Sequence, residues 1–493
     1  MIAQNSQQWK ERRFPLIAGT LHWLLTFGLE RLILVVSPAE HLLDYCLCKA
    51  ILWGVLYGFW NLIGKAFFAP HSKKSRERRV VLFALPMLAV LTVWLFLRHP
   101  FTPPGDEFNL FTRATQLDSF AFWFNYPSGY YWIMGIMLVP VPMGPIYIKL
   151  VLQALVCGYC LARQYERSGL VRSLPLYLLF LLPFVLEQGI SAHRLPIYGM
   201  LYLFLAAKLM YDRLDGCHLD RKTLVLECVI LAVLAIWRSE GIYFSVLGII
   251  LIVVAYRVPL KKASLKKLLC YVLIFAAVAL PQLSAYTNVP YPASLRTKPL
   301  CGYALVNMFR NSLTEEMIEP EDWQAINTYL PFETIHEYNE THGDHNYAWA
   351  FIMNDTEPGV GYDEQEKFCD ATKRVIVQNL PIYLKSQFNA WKYTSDQYAI
   401  SPDMPLLTQI LNLSSRVVYP AVLALLFCIY ALLRRRWLTF WLAGGALCNW
   451  AMVTALMPAA YAKYFYVTYL LGYFLLFMGI CQLISGKKKG IYG

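Results

Sequence analysis

Long apolar runs recur along the chain, separated by short polar segments rich in Lys and Arg. They fall at 14–36, 43–67, 79–98, 146–163, 171–188, 195–211, 223–237, 241–257, 267–286, 411–432, 437–457 and 462–484. About 20 apolar helical residues cross the hydrocarbon layer of a bilayer. The pattern therefore predicts an all-α polytopic membrane protein with about twelve transmembrane helices. The first two runs carry Glu30, Arg31, Asp44 and Lys49. They fit an amphipathic hairpin on the membrane surface nearly as well as two spans, which leaves about ten crossings.

Composition agrees with this reading. The 493 residues are 57% hydrophobic and only 15% charged, too little charge for a soluble chain of this length. The net charge of +12 is not a sign of nucleic-acid binding, because excess Lys and Arg in a membrane protein marks cytoplasmic loops. Basic clusters lie at 10–13, 73–79, 163–167, 208–222, 257–267, 434–436 and 487–489. Placing all of them inside makes the spans come in pairs and puts both termini in the cytoplasm. The segment "YYWIMGIMLVPVP", residues 130–142, is short, is broken by Pro140 and Pro142 and has no basic flank. Counted as a span it would put the clusters at 163–167, 208–222 and 257–267 outside, so it is expected to be a membrane-dipping or interfacial helix on the outer side.

Four regions follow. Residues 1–72 form an N-terminal hydrophobic hairpin or signal anchor, and 73–286 a transmembrane core whose first outer loop is 99–145. Residues 287–410 form an outer loop domain, and 411–493 the last helices and a basic tail. The 287–410 segment holds 17 of the 32 acidic residues and 8 of the 44 basic ones, which sets it apart as a soluble domain or lid. Most of the twelve cysteines lie in apolar runs and read as small buried residues, the Cys157–Cys160 CxxC included. Cys301 and Cys369 share the 287–410 segment, where a disulfide is open to them in an oxidising compartment.

The candidate chemistry sits where this topology leaves polar islands outside. "HPFTPPGDEFNLFTR", residues 99–113, places Asp106 and Glu107 at the start of an amphipathic helix. A carboxylate there either caps the helix or serves as a general base for an acceptor hydroxyl. "EQGISAHRLPIYG" offers His193 and Arg194, and taken alone reads as an ordinary loop with snorkelling charges. "IWRSEGIYF" puts Arg238 and Glu240 in a tight turn, and an outward arginine at headgroup level suits a lipid-linked phosphate. "PAAYAKYFYVTYLL" sets Lys463 among tyrosines on the outer side, against the positive-inside pattern. Walker A, GxGxxG, HExxH and GxSxG patterns do not occur, which weighs against ATP-driven transport and cytoplasmic nucleotide-sugar chemistry.

In order, these features resemble the GT-C glycosyltransferase superfamily. The likeness is to the branch of protein O-mannosyltransferases and bacterial aminoarabinose transferases, and to uncharacterised Gram-positive relatives. It rests on Asp106-Glu107 after an early span, on "YPSGYYW" with Pro127, Tyr130 and Tyr131, on "WRSEGIYF", and on "AKYFY", where Lys463 stands in place of arginine. It covers roughly 79–290 and 411–484. The resemblance implies inverting transfer of a sugar from a polyprenyl-phosphate donor to an envelope glycan, lipid or protein acceptor at the outer face of a bacterial plasma membrane. It implies Asp106 as base with Glu107 supporting it, and Arg238, Lys463, Arg194 and His193 around the donor phosphate. Tyr130, Tyr131 and Glu240 would bind substrate. No cofactor is assigned; a divalent metal could supply part of the cationic clamp, but no dedicated ligand set is visible. The alternatives are a transporter or flippase for lipid-linked oligosaccharides, and a glycan polymerase or ligase.

Overall fold

The computed structural model describes residues 2–68, 75–98, 106–117, 126–140, 144–258, 262–287, 297–341, 361–396, 405–457 and 459–485. All regular structure among them is helical. Residues 99–105 before Asp106, Lys73 and the basic tail at 487–489 lie outside the described residues. The chain divides into two compact units.

The first unit comprises 1–282, 423–445 and 470–493. It opens with the hairpin α1 (Ile2–Leu29) and α2 (Leu42–Phe68). Lys49 and Glu30, both nearly inaccessible, pair at 2.5 Å, and Lys49 also donates to Thr26. The charges that suggested a surface hairpin are therefore partly spent inside it. The long α3 (Arg76–Arg98) packs along α6 (Gly144–Ser168). A Cβ on Gly158 would stand 2.2 Å from the Val80 carbonyl oxygen, so glycine is what lets these two helices touch backbone to backbone. The outward faces are greasy: Val93, Phe96 and Leu97 of α3 are all more than half exposed. Such a face suits lipid contact better than water.

Between α3 and α6 lie α4 (Asp106–Thr115) and α5 (Tyr126–Leu138). Leu110 and Ala114 turn the apolar stripe of α4 inward, as its spacing predicts. At about 20 Å, the 13 residues of α5 are too short to span a bilayer. Trp132, Ile133, Ile136 and Met137 are fully or almost fully buried, so this short helix is enclosed by protein.

The apolar run expected at 171–188 is broken. It comprises α7 (Leu170–Ser173), α8 (Pro175–Leu181) and α9 (Pro183–Ile190), with a bend of 61° at Leu182–Pro183. Proline lacks the N–H that would continue the ladder, which accounts for the break. Then follow α10 (Leu195–Leu214), α11 (Arg221–Trp237), α12 (Phe244–Tyr256) and α13 (Lys262–Thr287).

Basic clusters at 76–79, 163–167, 208–222 and 257–267 meet at one end of this unit. Glu166 receives Arg76 at 3.0 Å and Arg79 at 2.8 Å. Arg163 reaches Asp212 and Asp215, each at 3.0 Å, and Lys267 donates to the Leu219 carbonyl at 3.1 Å. The opposite end of α3, about 34 Å away by helix rise, carries Arg98, which pairs with Glu187 at 3.2 Å.

The second unit comprises 283–422 and 446–469. Its helices are α14 (Lys298–Arg310), α15 (Pro320–Tyr329), α16 (Phe332–Thr341), α17 (Tyr362–Gln378), α18 (Leu380–Asp396) and α19 (Leu406–Ser415). Their core holds Tyr303, Ile326, Ile335 and Phe368. Arg374 clamps Asp322 through two N–H groups at 2.9 and 2.6 Å. Cys301 and Cys369 are both free and buried, and the Cys301 thiol donates to the Cys369 carbonyl at 3.7 Å. The turn between the last two apolar helices belongs to this unit: Tyr383 donates to the Ala455 carbonyl and Trp391 meets Trp450 edge-on at 5.1 Å.

The remaining helices are α20 (Val418–Leu433), α21 (Trp437–Leu456) and α22 (Tyr466–Ser485). By length and composition, five helices among the described residues can cross a membrane, or up to seven if each bent pair is one span. A multi-pass helical membrane protein follows, with fewer self-sufficient crossings than the apolar runs suggested. The 13-residue α12 is one reason, since it falls short of a bilayer without the turn before it.

Candidate active site

Glu107 is the fixed point of the site. It lies one residue into α4 and is 2% exposed. Its Oε1 accepts the Arg194 guanidinium at 2.6 Å and the Arg194 backbone N–H at 3.3 Å. Its Oε2 accepts the Trp132 indole N–H at 2.9 Å. His193 Nδ1 stands 3.7 Å from Oε1. The carboxylate thus ties α4 to α5 and to the loop before α10. Burial by itself would raise the carboxyl; the Arg194 charge, with His193 and Trp132, outweighs it and holds the group at about 2. Such a carboxylate is ionised at neutral pH and a weak base, and its bonds hold the Arg194 loop against α4 and α5. Asp106, its neighbour, is the first residue of α4; its side chain lies outside the described residues.

The loop that reads as ordinary in the sequence is held from behind by a buried lysine. Lys149 of α6 is fully inaccessible. Its ammonium donates to the Ser191 carbonyl, to Ser191 Oγ at 3.3 Å and to the His193 carbonyl at 3.2 Å. It caps the C-terminal end of α9, where carbonyls lack helical partners and the helix dipole favours a cation. Sequence reasoning passed over Lys149. The available signal was a lone lysine in the apolar run "IYIKLVLQ", a costly placement that asks for a partner.

Of the two tyrosines expected to meet substrate, Tyr131 is 4% exposed, and its hydroxyl donates to the Pro145 carbonyl at 2.7 Å. It serves packing. Tyr130 stacks on Tyr126 with centroids 5.9 Å apart and keeps part of its surface accessible. Arg238 and Glu240 pair with each other inside the turn after α11. Gly241 makes that turn: a Cβ there would lie 2.3 Å from the Leu234 carbonyl oxygen. The turn stands beside α5, because the Trp237 and Tyr131 rings are 6.3 Å apart.

The first unit therefore gathers Glu107, His193 and Arg194 around Trp132, and sets the Arg238–Glu240 turn against the same helix. Lys463 belongs to the second unit, where its ammonium lies over the rings of Tyr461 and Tyr464, at 4.7 and 5.7 Å. Among the described residues, no group of three or more His, Cys, Asp or Glu could hold a metal ion. No family model matches the chain, and no curated protein or solved structure matches it either.

Proposed function

We propose that this protein is a membrane glycosyltransferase of the GT-C type, acting at the outer face of the membrane on a polyprenyl-phosphate-linked sugar. The observation that carries the reading is the union of Glu107 with the 191–194 loop. Glu107 anchors Arg194 and His193 beside the start of α4, the helix whose first residue is Asp106. This end of α3 is also the one remote from the basic clusters, which supports an outward site.

The chemistry needs little else. The Asp106 carboxylate takes the proton of the acceptor hydroxyl as its oxygen attacks the anomeric carbon. The bond from that carbon to the phosphate oxygen breaks on the opposite face, and the polyprenyl phosphate leaves with the electron pair. Arg194 and Arg238 stabilise the charge that develops on it. The acceptor is an envelope glycan, lipid or protein, and twelve crossings with both termini inside complete the proposed topology.

The test is direct. Purified protein in liposomes is given synthetic polyprenyl-phosphate hexoses and envelope glycan acceptors. Release of polyprenyl phosphate, dependent on acceptor, is expected from at least one donor. Intact donor throughout the panel would count against the reading.

A further inference from the structure

At the opposite end of the first unit, three chain segments line an open pocket of about 540 Å³. Arg213 comes from the last turn of α10, Arg257 from the end of α12, and Arg434, Arg435 and Arg436 from the turn between α20 and α21. Val253, Val254, Trp437 and Trp441 complete the lining.

Five arginines line this one pocket, Arg257, Arg434 and Arg435 exposed, while the acids near Arg213 are engaged elsewhere. Asp212 is held by Arg163, Asp215 by Arg163 and Arg167, and Glu227 by Lys208 at 3.2 Å. Arg213, which lies beyond the apolar run of its helix, is pushed down first by burial and then by the charge of Arg257. Arginine binds phosphate through paired N–H donors and stays charged under all ordinary conditions.

The backbone adds a second observation. Arg257 and Arg435 adopt left-handed conformations, with φ of 48° and 54°. Each ends a helix, closed by Val258 N–H on the Val253 carbonyl and by Arg436 N–H on the Ala431 carbonyl. Glycine suits such positions better, by about 1 kcal/mol. The chain carries arginine at both, and both residues line the pocket.

We infer that this pocket is a binding site for a ligand bearing at least two phosphoryl charges, whether an anionic lipid headgroup or a soluble polyphosphate. The inference is independent of the glycosyltransferase reading, whose residues lie at the other end of α3. The two tryptophans and two valines beside the arginines suit the glycerol and upper acyl region of a lipid.

The experiment uses the full chain in detergent, stripped of lipid. One arm titrates inorganic pyrophosphate by calorimetry, and the other titrates cardiolipin in mixed micelles and reads bound lipid by native mass spectrometry. Arg213→Gln and the triple variant Arg434→Gln/Arg435→Gln/Arg436→Gln are each expected to weaken binding at least tenfold, with unchanged melting. Arg213→Lys is expected to recover part of the loss. Binding of cardiolipin alone assigns a lipid site, and binding of both ligands assigns a general polyphosphate site. Failure of both ligands to bind, or equal binding by wild type and the Gln variants, would overturn the inference.

Discussion

Arg194 donates to Glu107 Oε1 at 2.6 Å although 87 residues separate them in the chain. The carboxylate is almost fully enclosed, so removing its partner leaves a buried charge uncompensated. Arg194→Ala is expected to cost about 3–5 kcal/mol of stability, seen as a lowered melting midpoint in detergent. Pairing Arg194→Ala with Glu107→Gln should cost clearly less than the sum of the two single changes. Strict additivity would mean that the pair does not act as a unit.

The same pair gives a pH dependence. The folded Glu107 carboxyl titrates at about 2, below its ordinary 4.5. Its contribution, roughly 3 kcal/mol, is complete above pH 4.5. It is lost as the pH falls from 4.5 toward 2. Melting curves over that window should be steeper in pH for the wild type than for Glu107→Gln. Parallel curves would show that the carboxyl is not held down.

Lys149 supports this arrangement from behind the loop. Lys149→Met removes its bonds to Ser191 and His193 while keeping the bulk of the side chain. It is expected to destabilise by about 2 kcal/mol or more, because buried carbonyls lose their donor. Adding Arg194→Ala should then cost little more, since both changes release the same loop. A double variant showing the full sum of the two losses would separate Lys149 from the site.

The topology gives a fourth expectation. Reporters fused at Gly241 and Arg434 should read opposite compartments, Gly241 outside and Arg434 inside. Readings from the same compartment would break the pairing of spans on which the outward site depends.

Much of this organisation was legible from charge. The clusters at 73–79, 163–167, 208–222 and 257–267 were grouped by sign alone, and Arg76–Glu166, Arg163–Asp215 and Lys267–Leu219 join them at one end. Charges at helix ends are strongly constrained in a membrane protein, so their pattern carries over into space. The α4 helix was legible for a similar reason, since Leu110 and Ala114 keep its apolar stripe in register. Partnership was not legible. Nothing near Glu107 in the chain points to Arg194 or Trp132, because the contact is made by packing of distant helices. Lys149 was hidden in an apolar run that reads as one more span. The 61° breaks at Leu182–Pro183 and between α19 and α20 were missed because hydropathy runs straight through them. The helices of 287–410 are short and half polar, so no single period survives long enough to be read.

The central claim is that a carboxylate at the start of α4 activates the acceptor of a glycosyl transfer. The most direct measurement is sugar transfer from polyprenyl-phosphate hexoses by Asp106→Asn, with melting followed in parallel. Turnover is predicted to fall at least a hundredfold, the usual worth of a general base, while the melting midpoint stays at the wild-type value. Turnover by Asp106→Asn at the wild-type rate would contradict the account.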